Sequence, residues 1–169
     1  METRKCVLFV CVAVGLTFLA AMGAAWAADK ELDNEKIAVK FYREVERGGY
    51  RVISTQELKG WIDQKKDMLI VDTMPADNFK KQHIPGAVNF EIQRQPELTQ
   101  MPEKMQADFQ KVLGPNKDRT IVLYCGFTDC ERSHNAGMWA VKLGYKNVYR
   151  QPGGITGWLE AGYPTEKPK

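Results

Sequence analysis

The chain has 169 residues, of which 44% are hydrophobic and 27% are charged, and its formal net charge at pH 7 is +3. A chain of this length suits one domain with a packed core. The near-neutral charge, without a basic patch, gives no sign of nucleic-acid binding.

Residues 1–27 are predicted to be a cleaved signal peptide. Arg4 and Lys5 form a short basic start, an apolar run follows over residues 6–21, and residues 25–27 form a small-residue cleavage motif. The alternative is an uncleaved membrane anchor, since residues 6–28 are long enough to cross a bilayer. We expect cleavage and export to a bacterial periplasm, with membrane contact only through this segment if it stays attached.

Hydrophobic periodicity predicts an N-terminal helical extension over residues 28–49 and then a domain over residues 50–166. Within this domain we expect strands at 51–53, 68–71, 87–90, 120–124 and 146–149, and helices at 54–62, 77–82, 102–113 and 132–143. Strands that alternate with helices predict a three-layer α/β fold with a mostly parallel central sheet flanked by helices. Whether the extension packs on its own domain or joins two copies in a homodimer stays open at this point.

The loop after the strand at 120–124 is the candidate site. It begins at Cys125, and a helix opens near Arg132, so backbone N–H groups and a positive helix end point toward one sulfur and favour its thiolate. Such a thiolate is a nucleophile for sulfur, phosphorus or arsenic oxyanions. The predicted site residues all lie in this loop: Cys125, Gly126, Phe127, Thr128, Asp129, Cys130, Glu131, Arg132 and Ser133.

Three motifs in order contain or flank this loop. They are Leu69-Ile70-Val71-Asp72 with His83-Ile84-Pro85-Gly86, Val122-Leu123-Tyr124-Cys125 with Arg132-Ser133, and Leu143-Gly144-Tyr145 with Gly153-Gly154-Ile155-Thr156-Gly157-Trp158. Through them the chain resembles the rhodanese (sulfurtransferase) family over residues 50–165. We expect Gly153 and Gly154 to form a tight turn beside the loop.

The resemblance implies a sulfurtransferase that needs no cofactor or metal. Cys125 would take a sulfane sulfur from a small sulfur-containing anion such as thiosulfate or polysulfide, hold it as a persulfide, and pass it to a thiol or to cyanide. Arg132 would help to hold the anionic donor or to tune the thiolate. A Cys-Cys-His metal site that includes His134 is disfavoured, because its spacing matches no strong zinc pattern.

The loop departs from the family in its length and in its second thiol. Four residues usually separate the cysteine from the arginine, whereas here there are six, from Gly126 to Glu131. Asp129 and Glu131 place acidic charge at the rim, which should oppose doubly charged phosphate and argues against a phosphatase. Three roles are open for Cys130: a disulfide partner of Cys125, a resolving thiol, or a thiol with no part in the chemistry.

Two further functions are weighed against sulfur transfer. The Cys125/Cys130 pair, in an oxidising compartment, is also typical of a thiol-disulfide redox protein or redox sensor on a rhodanese scaffold. A non-catalytic binding module is the third reading, and the retained Cys125 speaks against it.

Overall fold

A computed structural model describes residues 30–168 of the chain. The predicted signal peptide lies outside the described residues. None of the described helices is both long enough and apolar enough to cross a bilayer.

The contacts within the chain define two units, one that ends at Lys40 and one that begins at Phe41. The described part of the first unit is helical, and helix α1 covers residues 30–48. Only the part of α1 from Phe41 onward belongs to the α/β domain.

The domain alternates strands and helices as predicted. Its strands are β1 (Arg51–Val52), β2 (Leu69–Asp72), β3 (Ala87–Asn89), β4 (Thr120–Tyr124) and β5 (Asn147–Arg150). Its helices after α1 are α2 (Thr55–Asp63), α3 (Ala76–Lys81), α4 (Glu103–Leu113), α5 (Glu131–Lys142) and α6 (Gly154–Glu160). Helix α6 is not among the predicted elements, because the glycine-rich segment predicts only a turn.

The five strands form one parallel sheet in the order β1-β5-β4-β2-β3. The three-layer α/β prediction is confirmed. Alternate residues of β4 point to opposite faces, so Leu123 joins one apolar core with Phe109 while Val122 joins a second with Trp158. All of β2 is buried because an apolar core lies on each face of the sheet.

The carboxyl ends of the strands meet at one edge, where ligands of open parallel sheets usually bind. Asp72 pairs with Tyr124, and Leu123 pairs with Arg150, so these four residues lie close to that edge. Cys125 follows β4 directly, in the middle of the sheet.

Gly154 fixes the segment that lies against the loop after β4. Its φ is +61°, and a Cβ atom there would lie 2.4 Å from the backbone oxygen of Cys125. The neighbouring amides of Ile155 and Thr156 donate to the backbone oxygens of Cys125 and Gly126, at 2.9 and 3.0 Å. The expected glycine turn beside the loop is confirmed, and its role is close backbone approach.

We predict that Gly154→Ala lowers the free energy of unfolding by about 3 kcal/mol, because a positive φ is strained for alanine and the Cβ meets backbone that cannot move aside. Gly162→Ala is the matched control: φ is +71° there and no atom lies within 4 Å of the added Cβ. The control should lose only about 1 kcal/mol. Urea unfolding measures both values, and equal losses would contradict the packing role of Gly154.

Candidate functional site

The candidate site is the loop between β4 and α5. Cys125 is its first residue, and Cys130 is the N-cap residue of α5, a helix of 12 residues. The positive end of this helix therefore faces Cys130. The fold brings all the predicted loop residues together at the carboxyl edge of the sheet.

Cys125 and Cys130 are both free, and each is only 1% exposed. The Cys125 thiol is surrounded mainly by acceptors. Its Sγ lies 3.4 Å from the backbone oxygen of Cys130 and 3.8 Å from that of Phe127. The Ser133 hydroxyl, 3.5 Å away, is a donor to the same sulfur. Two facing carbonyls and burial favour the neutral thiol.

Cys130 lies among donors instead. The Arg132 guanidinium approaches its Sγ through Nη1 at 3.8 Å, and the residue is the N-cap of α5. The guanidinium and the positive helix end stabilise negative charge on that sulfur. The structure therefore places the cation of the loop beside Cys130, whereas the sequence predicted an anion-binding nest around Cys125.

The two thiols titrate in opposite directions. Hydrogen bonding from the Cys125 thiol is the largest cause that lowers the pKa of Cys130 to about 5, and the amides and guanidinium of the loop act in the same direction. Burial raises the pKa of Cys125 well above its ordinary value of 9.0, and the adjacent Cys130 raises it further. The proton therefore stays preferentially on Cys125, whose thiol faces backbone oxygens.

The remaining loop residues are either exposed at the rim or buried within the loop. Phe127 is 45% exposed at the rim, whereas Gly126 and Ser133 are buried. Arg132 donates through Nε to the backbone oxygen of Ile92 at 2.9 Å. This bond fixes the guanidinium that faces Cys130.

Arg94 is a site residue that sequence reasoning missed. Its Nε donates to Glu131 at 3.1 Å, and its guanidinium lies 5.6 Å from the centre of the Phe127 ring. The pKa of Arg94 is raised, chiefly by the hydrogen bond to Glu131 and also by the negative charges of Cys130 and Asp129. Because Glu131 is paired, the acidic-rim argument against phosphate is weaker than the sequence indicated. Nothing local in the sequence marks Arg94, since the contact spans 37 residues.

Arg150 is a second residue that sequence reasoning missed, and its hydrogen bonds hold the loop in place. Its buried guanidinium donates to Glu44 at 2.5 Å and to the Tyr50 hydroxyl at 3.2 Å. Toward the loop, it donates to the backbone oxygens of Thr128 and Cys130, at 3.0 and 3.1 Å. It also donates to the Ser133 hydroxyl at 3.0 Å. The loop geometry thus depends on one cation at the end of β5.

His134 belongs to this buried network. Its Nδ1 lies 2.9 Å from the Tyr50 hydroxyl, and the two rings pack edge to face. Over residues 30–168, no group of three or more histidine, cysteine, aspartate or glutamate side chains is placed to hold a metal ion.

A cleft of about 300 Å³ opens beside the loop, and Lys81 contributes a cation to its wall. Its lining residues come from the segments that follow β2, β4 and β5: Met74, Asn78, Lys81, Gln82, Gly126, Phe127, Ile155 and Thr156. The cleft is large enough for a small anion or thiol to approach the loop.

Comparison with known proteins matches this geometry to one family. The chain is 24% identical over 152 residues to a tRNA uridine(34) hydroxylase of Bordetella parapertussis, covering 83% of this chain and 59% of that protein. It is 27% identical over 123 residues to the mitochondrial thiosulfate sulfurtransferase RDL2 of Saccharomyces cerevisiae, covering 70% of this chain and 79% of the yeast protein. The chain thus spans less than two thirds of the hydroxylase.

The fold is similar to the solution structure of the polysulfide-sulfur transferase homodimer of Wolinella succinogenes. The TM-score is 0.55 at 19% identity, covering 80% of this chain and 93% of that chain. The model of the rhodanese-like domain matches residues 54–161, which include every element from α2 to α6. The chain therefore belongs to the rhodanese-like domain family.

Proposed function

We propose that this protein is an exported sulfurtransferase. It accepts a sulfane sulfur from a small anionic donor of the thiosulfate or polysulfide type, holds it as a persulfide in loop 125–133, and passes it to a thiol or to cyanide. The family resemblance assigns the persulfide to Cys125. The predicted signal peptide supports a periplasmic location.

The observation that carries the proposal is the set of donors gathered around one loop sulfur. The Arg132 guanidinium faces Cys130 at the N-cap of α5, and hydrogen bonding from Cys125 and from groups of the loop lowers the pKa of Cys130 to about 5, which favours its thiolate. A thiolate of this kind attacks a sulfane sulfur, and the same donors stabilise the persulfide anion that forms.

Positive charge near the loop favours an anionic donor. Arg94 and Arg132 flank Cys130 and Lys81 lines the neighbouring cleft. A thiosulfate-type anion carries its charge on oxygen atoms that guanidinium groups bind well. The function therefore uses side chains of this chain alone.

We predict that incubation with thiosulfate or polysulfide adds one sulfur atom to the loop peptide. Trypsin cleaves after Arg119 and Arg132, so one peptide carries both loop thiols and excludes Cys6 and Cys11. The matched control is the Cys125→Ser/Cys130→Ser double variant, which should gain no sulfur and transfer none to cyanide. Mass spectrometry of the peptide makes the measurement. A wild-type peptide that carries no added sulfur at any time after mixing, with either donor, would rule out the proposed function.

A thiol-disulfide redox protein is the second candidate, because two free thiols share one loop and Cys125 Sγ lies 3.4 Å from the backbone oxygen of Cys130. In that case the pair should cycle between dithiol and disulfide with no uptake of sulfur. Thiol counting before and after mild reduction tests this. Two free thiols that persist in an oxidising buffer would exclude the redox function.

We predict that Arg150→Lys lowers both stability and sulfur transfer. Lysine keeps the charge but cannot make the five contacts of the guanidinium, so Glu44 and the loop carbonyls lose donors. The expected loss is about 3 kcal/mol in unfolding free energy and about tenfold in kcat, with a smaller change in KM for thiosulfate.

The matched control is Arg51→Lys on the neighbouring strand, where the arginine is exposed and bonds to Asn147. It should change stability by less than about 0.5 kcal/mol and leave transfer unchanged. If the two variants behave alike in urea unfolding and in steady-state kinetics, Arg150 does not position the loop.

A further inference from the structure

We infer that Cys130 is the thiolate that first accepts the sulfane sulfur, and that Cys125 is the resolving thiol that releases it as hydrosulfide. This inference rests on the proposed sulfurtransferase function and assigns different roles to the two loop cysteines. It reverses the order that the family resemblance implies, in which Cys125 attacks first.

The surroundings of the two sulfurs carry the assignment. Cys125 Sγ faces two backbone carbonyl oxygens, at 3.4 and 3.8 Å, which repel a negative sulfur and accept a proton from a neutral one. Cys130 Sγ lies 3.8 Å from Nη1 of the Arg132 guanidinium, and Cys130 is the N-cap residue of α5. The electrostatic preference is therefore set by two carbonyls on the Cys125 side and by a cation and a positive helix end on the Cys130 side, against the single Ser133 hydroxyl that donates to Cys125 Sγ at 3.5 Å.

The positive groups around Cys130 also favour a thiolate on Cys130 over one on Cys125. Arg132 on α5 and Arg94 from the segment after β3 are positive and are near its sulfur. Arg150 on β5 donates a hydrogen bond to the Cys130 backbone oxygen and places a positive charge at the inner end of the loop.

Three acidic groups lie on the same side. Asp72 at the end of β2 interacts electrostatically with Cys130; burial raises the pKa of that carboxyl, and its Oδ1 accepts the Met74 amide at 2.8 Å. Glu131 on α5 is paired with Arg94, which offsets its charge, whereas Asp129 is next to Cys130 in the loop and opposes the thiolate. The donor in contact with Cys130 Sγ is the Arg132 guanidinium, which is positive.

The first chemical step forms a bond between Cys130 Sγ and the outer sulfur of thiosulfate. The sulfur–sulfur bond of the donor breaks, and sulfite leaves with the electron pair. Cys130 then carries a persulfide anion, and the Arg132 guanidinium that held the thiolate is in place beside it.

In the second step Cys125 attacks Cys130 Sγ. The persulfide bond breaks, hydrosulfide leaves with the electron pair and with the Cys125 proton, and a Cys125–Cys130 disulfide forms. The two thiols are thereby oxidised and the sulfane sulfur is reduced. Two external thiols must then reduce the disulfide by exchange and leave as their own disulfide; they belong to the thiol class already proposed as the acceptor. The sulfur leaves as hydrosulfide when Cys125 attacks the persulfide before an external thiol or cyanide does.

The test uses the full chain and two matched single variants, Cys125→Ser and Cys130→Ser, treated with thiosulfate. Cys125→Ser should accumulate a persistent persulfide on Cys130, and Cys130→Ser should take up sulfur at least about tenfold more slowly. Wild type should show a transient persulfide, then a loop disulfide with one hydrosulfide released for each sulfite. Peptide mass spectrometry with sulfide and sulfite assays follows each species.

Iodoacetamide labelling of the wild type at pH 6 keeps the assignment testable even if a variant fails to fold. Cys130 should be labelled about tenfold faster than Cys125, with a rate that reaches its plateau once pH exceeds about 6, because its thiolate is already formed. Faster labelling of Cys125, or uptake of sulfur at wild-type rate in Cys130→Ser, would overturn the assignment and leave the proposed function standing. No uptake of sulfur by the wild type would remove the proposed function itself, whichever thiol is labelled first.

Discussion

The site depends on a buried guanidinium. Arg150 is fully buried at the end of β5, and its charge is balanced by Glu44 of α1, whose side chain is 3% exposed. Burying such a pair is costly, and it adds little stability compared with apolar residues of similar volume. The value of Arg150 is therefore geometric: its planar fork reaches α1, the loop and α5 at once, so three segments far apart in sequence share one fixed point.

That fixed point determines which loop groups face the sulfurs. Arg150 donates to the backbone oxygens of Thr128 and Cys130, so these carbonyls point inward toward the guanidinium. The Cys130 oxygen then also accepts the Cys125 thiol, which ties the proton to the Cys125 side. The opposite charge preferences of two cysteines only five positions apart thus follow from the orientation of a few peptide groups.

Much of this fold is visible in the sequence, because the elements depend on local periodicity. The sequence predicts the helix that α2 forms, the strand that β2 forms and the glycine turn beside the loop, and the structure contains each of them. The sequence also predicts the loop, since Cys125 follows a β-rich run. It does not predict the Arg150 network, because this network joins residues up to 106 positions apart and arginine at a strand end is ordinarily a surface residue.

The identity of the thiolate lies beyond sequence reasoning for a related cause. A motif places Cys125 at the end of β4, but α5 begins at Glu131, so the positive end of that helix lies beside Cys130. Family resemblance carries residue types, whereas a thiolate is selected by the direction of surrounding dipoles. The loop therefore holds one thiol beside the Arg132 guanidinium and the other beside backbone carbonyls, which is the arrangement that the proposed division between an attacking and a resolving thiol requires.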